Sequence, residues 1–476
     1  MSKRRPFLAL LVASGGFVIV LDNFAAAVAF PRIEEAFPTT PRSTLAWLSS
    51  GNSIALAALL LVAGKLGDRY GRRRTYLSGM AVFMLAALLT AASPNPAWLI
   101  AARVVQGCAG AMMVSTSIAL ALLEYPPERR GVAMGWMGVM GSVSSLLGPV
   151  LAGNIIEVGG SWRWVFLVSI PVGVAVLFAG PRTLQEAKVE GARDEPIDLF
   201  AMVVVAAASG LLVFGVIQTG RWGWVDGRTG LTLLVAAALW ALFVLRCRRA
   251  AAPLLDLGLF ARPTFRVATV SQLFSQFALF AFFFWTPLFL VNVWGWSSGG
   301  VGWATATPLL LSCNSVPMGR FADTHGYRGM LVSGGLVCAA SSLWWILAVG
   351  DSPSFVTDLL PGMLLLGFGT GMIGINSAAA ALAGLEAQTL AAANSAFQTS
   401  RRVVQTLGVA VVVAILGDRS SDNLSRFRWV WAVCGIGFVA SSLIALWYPG
   451  GQRRETAAGA DAAAVRPVSD EILDAQ

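Results

Sequence analysis

GKLGDRYGRRRTY, running from Gly64 to Tyr76, holds an Asp, a Lys and four Arg in 13 residues, in a chain of 476 residues of which only 12% are charged. Nearly pure apolar sequence flanks it on both sides. The chain is 56% hydrophobic, with a mean hydropathy of +0.70. A soluble protein of this length has too little interior to hide so much apolar surface. Apolar runs of about 20 residues, the length of a bilayer crossing, recur from one end to the other. The fold class expected is therefore an all-α polytopic membrane protein, with Gly64–Tyr76 as a charged turn between two crossings.

Working outward from that turn, spans are expected near 7–30, 44–63, 76–93, 97–122, 131–154 and 163–181, then 197–218 and 229–245. A last six follow near 265–292, 299–318, 329–350, 356–382, 390–416 and 429–448, fourteen in all. With both termini cytoplasmic, 23 of the 34 Lys and Arg fall in cytoplasmic segments, 8 in external ones and 3 (Arg103, Arg401, Arg402) inside helices. That bias satisfies the positive-inside rule and places the chain as multi-pass in a plasma or inner membrane, in contact with the lipid bilayer. The run from Phe7 to Phe30 is longer than a signal-peptide core and contains Asp22, so it reads as a retained first helix.

The net charge of +9 does not indicate nucleic acid, because the basic residues lie between apolar runs and form no continuous patch. Five scattered cysteines show neither disulfide nor metal spacing. No cofactor signature, Walker loop or nucleophile elbow is present, so the chain is not expected to be an enzyme or an ATPase, and energy must come from a gradient.

The turn is also half of a repeat. Gly64-x-x-x-Asp68-x-x-Gly71-Arg72 joins spans two and three; Gly319-x-x-x-Asp323-x-x-Gly326-x-Arg328 joins spans ten and eleven. The offset of eight spans implies two six-helix halves with an extra pair between them. The division expected is a first bundle over 1–182, a linker over 183–196 and the inserted pair over 197–245. A second linker covers 246–264, the second bundle 265–448 and a disordered cytoplasmic tail 449–476.

With these residues in view, the chain resembles the major facilitator superfamily, and within it the fourteen-helix drug:proton antiporter branch of EmrB/QacA type. Gly64, Gly67, Asp68, Arg69, Gly71, Arg72 and Arg73 match the loop signature, which in the family acts as a latch between the halves. Leu21-Asp22-Asn23 through Pro31 resembles the first-helix signature, and Arg103-Val104-Val105-Gln106-Gly107 the fourth-helix signature, whose Arg the family implicates in proton transfer. Asp22 lies about 12 Å below the outer end of its helix and Arg103 about 9 Å below the end of its own. They can pair or share a water-filled cavity, and an ionisable group inside a span is a functional candidate. Gly141, Gly148, Pro149 and Gly153 resemble the antiporter signature of the fifth helix. Trp162-Arg163-Trp164 opens span six and fits an interfacial aromatic belt. Ser400-Arg401-Arg402 resembles the Arg-bearing segment of span thirteen, with Arg401 the expected cavity residue. The phenylalanines of span nine (Phe274 to Phe284) and Trp285 fit either a drug-binding wall or core packing.

The resemblance implies a drug:proton or toxic-metabolite:proton antiporter working by alternating access, functional as a monomer, whose ligands are protons and a small amphiphilic or hydrophobic compound. A proton-coupled importer or facilitator of a metabolite is the alternative, and a membrane-embedded enzyme a more distant one.

Overall fold

The computed structural model describes residues 4–123, 130–186, 198–250, 255, 257–311, 318, 321–322, 325–350, 352–383, 385, 387–417 and 423–449. Within its helices the side chains of 4–10, 61, 68, 118–119, 121–123, 130–139, 142, 220–221, 375, 387–392 and 395 stand outside the description. Every regular element among these residues is a helix. The first six long ones are α1 (Arg4–Ala36), α2 (Trp47–Tyr70), α3 (Arg72–Ala91), α4 (Pro96–Leu123), α5 (Arg130–Gly159) and α6 (Ser169–Thr183). Then come α7 (Leu199–Trp222) and α8 (Gly227–Arg249). The remainder are α9 (Pro263–Asn292), α10 (Ser298–Leu311), α11 (Tyr327–Ala348), α12 (Leu360–Leu382), α13 (Ala387–Leu416) and α14 (Leu424–Ala445).

Twelve of the described helical stretches are long and apolar enough to cross a membrane, where the sequence led us to expect fourteen. The two that fall short sit at expected spans five and ten. In α5 the qualifying apolar stretch is Val143–Gly159, and α10 has 14 described residues, about 21 Å of helix against a hydrocarbon core of about 30 Å. The linker residues 187–197, Gly319, Asp323 and the tail from 450 onward lie outside the described residues.

The helix pairings recur. In the first group α1 lies on α5, α2 on α4, and α3 on α4 and α6; in the second, α9 lies on α13, α10 on α12, and α11 on α12 and α14. Across the middle α5 packs on α10, α13 packs on α2, and α1 faces α9. Exchanging the first six helices for the last six turns each of these contacts into another member of the set, and the α1–α9 contact into itself. Helices α7 and α8 pack on each other, and α7 also lies against α2 and α13. Only 17% of the most apolar window of α8 is buried, against 72% for α9, so α8 lies at the rim and α9 at the centre.

Polar caps start the peripheral helices. Asp198 accepts the Ala201 N–H at 3.0 Å, Asp226 the Arg228 N–H at 2.7 Å, and Arg246 in the last turn of α8 pairs with Asp198 at 3.0 Å. The second group is cored by aromatics: Trp285 meets Trp345 at 5.2 Å and Trp431 at 5.5 Å, with Phe282 and Phe289 edge-on to Trp285. In the first group the buried Tyr76 hydroxyl donates towards the Leu11 and Val12 carbonyls at 3.0 and 3.1 Å, tying α3 to α1. Exposed side chains such as Phe178 (71%) and Leu347 (75%) are apolar, as an outer surface solvated by lipid requires.

Candidate functional site

Asp22 sits mid-way along α1, 3% exposed, and its carboxylate accepts from the Arg103 guanidinium. The second oxygen accepts from Gln106 Nε2 at 3.0 Å, and Gln106 Oε1 in turn accepts from Arg103 Nη1 at 2.7 Å. Arg103 and Gln106 are completely buried, one turn apart on α4, so both reach the same carboxylate. Neighbouring residues fix the arrangement. Gly107 presses α4 against the backbone of Asn52, where any Cβ would overlap the Asn52 carbonyl. That approach lets Asn52 donate to the Arg103 carbonyl at 3.1 Å and lets Arg103 Nε reach the Leu48 carbonyl of α2 at 3.3 Å. The Phe166 ring covers the guanidinium at 5.4 Å. Of the two sequence alternatives, the structure takes the ion pair.

A cavity of about 420 Å³ lies between the two helix groups, within the range that holds a drug-sized molecule. Val20, Asn23, Phe24 and Ala27 of α1 line it, whereas Asp22, Arg103 and Gln106 do not; they sit behind the α1 wall. Arg401 lines the cavity as expected, and so does Arg402, for which the sequence alone assigned no place. Arg401 Nε donates to Gln276 Oε1 at 3.0 Å, and Gln405 Nε2 donates to the same oxygen at 2.7 Å, so α13 is pinned to α9 by polar contacts. The span-nine aromatics divide by face. Phe280, Phe283 and Phe284 line the cavity, Phe282 and Trp285 point into the aromatic core, and Phe274 is 40% exposed.

Of the expected antiporter positions, Gly148, Pro149 and Gly153 are contact points. Gly148 meets Leu21 and Phe24 of α1, and Gly153 and Pro149 meet Ser298 and Gly302 of α10 so closely that a Cβ on Gly153 or Gly302 would overlap backbone. Gly141 has open space and lines the cavity. On the same end of the molecule Phe24 meets Phe283 at 4.5 Å and Phe30 meets Phe284 at 4.7 Å, and Arg32 Nε donates to Ser298 Oγ at 3.1 Å. These contacts seal that end.

At the opposite end, Gly71 (φ +111°) closes α2 and opens α3, and Gly326 (φ +89°) opens α11; each donates its N–H to the carbonyl four residues earlier. Gly67 lets α2 lie against Thr116 of α4. Arg69 lies over the Tyr70 ring at 5.6 Å, and Gly64 and Arg72 are half-buried. Glu186, just past α6, is a partner that sequence reading missed. It accepts the Arg73 N–H at 3.0 Å and lies 3.6 Å from Arg73 Nε and 3.8 Å from Arg74 Nε. Arg73 also reaches the Leu184 carbonyl at 3.2 Å. The Asp68 side chain, Gly319 and Asp323 lie outside the described residues, and Arg328 is exposed.

The profile of the Major Facilitator Superfamily matches residues 12–409 and, in a second register, 268–471. The chain belongs to the major facilitator superfamily. This superfamily member is 33% identical over 428 residues to the tetracenomycin C resistance and export protein of Streptomyces glaucescens, covering 88% of this chain and 77% of that one. It is 29% identical over 425 residues to the cephamycin export protein CmcT of Amycolatopsis lactamdurans, covering 87% and 85%. A solved chain from work on substrate recognition in proton-dependent oligopeptide transporters superposes with a TM-score of 0.64 at 15% identity over 93% of this chain and 98% of that one, a likeness of fold.

In this superfamily member a carboxylate held by a guanidinium and an amide is a buried counter-ion that joins α1 to α4. The same helix presents Val20, Asn23, Phe24 and Ala27 to the cavity, so the seating of α1 on α4 shapes the cavity wall.

Proposed function

We propose that this protein is a secondary active exporter that moves a small amphiphilic or hydrophobic compound of antibiotic type across the cell membrane in exchange for protons. The observation that carries the proposal is a drug-sized cavity between the two helix groups, sealed at one end, with the Asp22–Arg103–Gln106 cluster directly behind its wall. The export named for the relatives supports the direction. In this reading α5 and α10 also span, giving fourteen crossings of the EmrB/QacA type. The halves are 1–182 and 265–448, the pair 197–245 is an insertion, and 449–476 follows the second half. Both termini are cytoplasmic by the positive-inside bias, so the sealed end faces outside and the Gly71 and Gly326 turns face inside. The protein works as a monomer, and Asp68 and Asp323 belong to latches at those turns.

Protons arriving from outside neutralise Asp22, and substrate and proton each favour a different state, without which no exchange is driven. The test uses the full chain in proteoliposomes with an imposed pH gradient. The expected result is gradient-driven movement of an amphiphilic drug that Asp22→Asn abolishes while drug binding persists. Gradient-driven movement that survives Asp22→Asn overturns the role of the cluster, and its absence from the unmodified protein overturns the exporter reading.

A further inference from the structure

We propose that the central cavity is a site for an organic anion, a compound whose carboxylate or phenolate meets Arg402 and Arg401 and whose apolar body lies against Phe280, Phe283 and Phe284. This deepens the exporter reading and rests on it for the transport steps after binding.

Charge balance is the argument. Arg401 and Arg402 both line the cavity, and no other charged side chain does among the described residues. Among the described residues the partners of Arg401 are the neutral amides of Gln276 at 3.0 Å and Gln398 at 3.4 Å, and no carboxylate pairs with it. Arg402 forms neither ion pair nor hydrogen bond among the described residues. Asp22, the buried carboxylate of α1, is held by Arg103 and Gln106 and does not line the cavity. A guanidinium stays charged across the physiological range and is expensive to leave bare inside a membrane protein. Two adjacent ones facing the same space are complementary to an anion, to which each offers a planar fork of N–H donors.

The rest of the wall sets the remainder of the ligand. The three phenylalanines give the same cavity an aromatic face, suited to a fused-ring or long apolar body. Gln405 spends its Nε2 on Gln276 at 2.7 Å, and its buried Oε1 has no donor among the described residues, so a hydroxyl beside the anion completes it. The same two guanidinia repel a cationic amphiphile, so the site selects by rejection as well as by attraction.

The experiment uses the full chain in lipid nanodiscs and three probes of one shape: 1-pyrenebutyrate, its carboxamide and the corresponding ammonium, with binding to empty nanodiscs subtracted. A hydrogen-bonded charge pair predicts that the carboxylate binds roughly 10- to 100-fold more tightly than the carboxamide, with the ammonium weakest. Arg402→Gln lowers carboxylate affinity to that of the carboxamide and leaves the carboxamide unchanged; Arg402→Lys retains part of the preference. Equal binding of carboxylate and carboxamide, tighter binding of the ammonium, or an undiminished preference in Arg402→Gln overturns the proposal. The ranking of the three probes on the unmodified chain decides it even where a variant fails to fold. Proteoliposomes under a pH gradient separate the two readings. Arg402-dependent carboxylate binding without gradient-driven movement upholds the anion site and sinks the exporter, whereas gradient-driven efflux of neutral or cationic compounds alone, without carboxylate preference, does the reverse.

Discussion

Gly71 and Gly326 occupy backbone regions that an L side chain rarely adopts, at φ +111° and +89°, and each begins a helix. Substitution by alanine costs about 1–3 kcal/mol in backbone strain at either site. The surroundings differ: a Cβ at Gly326 meets open space, whereas one at Gly71 lies 2.5 Å from Glu186 Oε1. Gly71→Ala must therefore displace Glu186 and forfeit its bond from the Arg73 N–H, a further loss of roughly 1 kcal/mol, with little added for the half-exposed ion pairs. Thermal unfolding in detergent should rank Gly71→Ala below Gly326→Ala, and adding Glu186→Ala to Gly71→Ala should narrow the gap. The need for glycine was legible in the sequence, because the spacing repeats at two charged turns. Glu186 was not, since a carboxylate in a polar stretch 113 residues from Arg73 looks like any other. The Asp22–Arg103–Gln106 cluster was legible because charge inside an apolar run has few explanations and matched depths suggest a partner. Arg402 was harder: adjacent positions on a helix point about 100° apart, and no sequence feature sets the rotation of α13 about its axis.

The glycines of α5 illustrate the same limit for a whole helix. Their spacing marks a smooth face, but only the fold assigns Gly148 to α1 and Gly153 to α10. Gly408 on α13 makes the matching approach to Phe277 and Ala281 of α9, as expected from the exchange of helix groups. The α5–α10 contact seals one end of the cavity and leaves no room for a side chain, so Gly302→Val should wedge that end apart. Alternating access requires the seal to open, and the wedge favours the opened state. A cysteine at Phe284, behind the Phe30 contact, should then react several-fold faster with a membrane-impermeant maleimide added from outside than in the Gly302 parent. Unchanged reactivity would show that this contact is not the seal. The division of the span-nine aromatics follows from α9 being central: one face meets the cavity and the other the Trp345–Trp431 core. Periodicity could not assign those faces to the aromatics, because Phe280, Phe282, Phe283, Phe284 and Trp285 run right round the helix at about 100° per residue.

Across the molecule, the repeated turn signature anticipated the exchange of helix pairings, and the apolar runs anticipated the membrane. The count of crossings was less secure, since α10 has 14 described residues and hydropathy does not fix helix ends. The arrangement carries an energetic consequence. If a monoanion leaves through the Arg401–Arg402 cavity while one proton enters by way of Asp22, each cycle moves two charges in the sense favoured by an inside-negative potential. Each charge is worth about 2.3 kcal/mol per 100 mV, so the cycle gains about 4.6 kcal/mol, against about 2.3 kcal/mol for a neutral compound exchanged for the same proton. At 100 mV this sets limiting concentration ratios of roughly 2,000-fold for the anion and roughly 50-fold for the neutral compound. Proteoliposomes given a potassium diffusion potential with valinomycin, at equal pH on both sides, should therefore accumulate 1-pyrenebutyrate far more steeply with voltage than its carboxamide. Arg402→Gln should slow the anion at every voltage without altering the slope, because the slope counts charges moved and the variant changes only how tightly the anion is held. Equal slopes for anion and neutral probe would mean that the anion crosses with an additional proton, carried as the neutral acid.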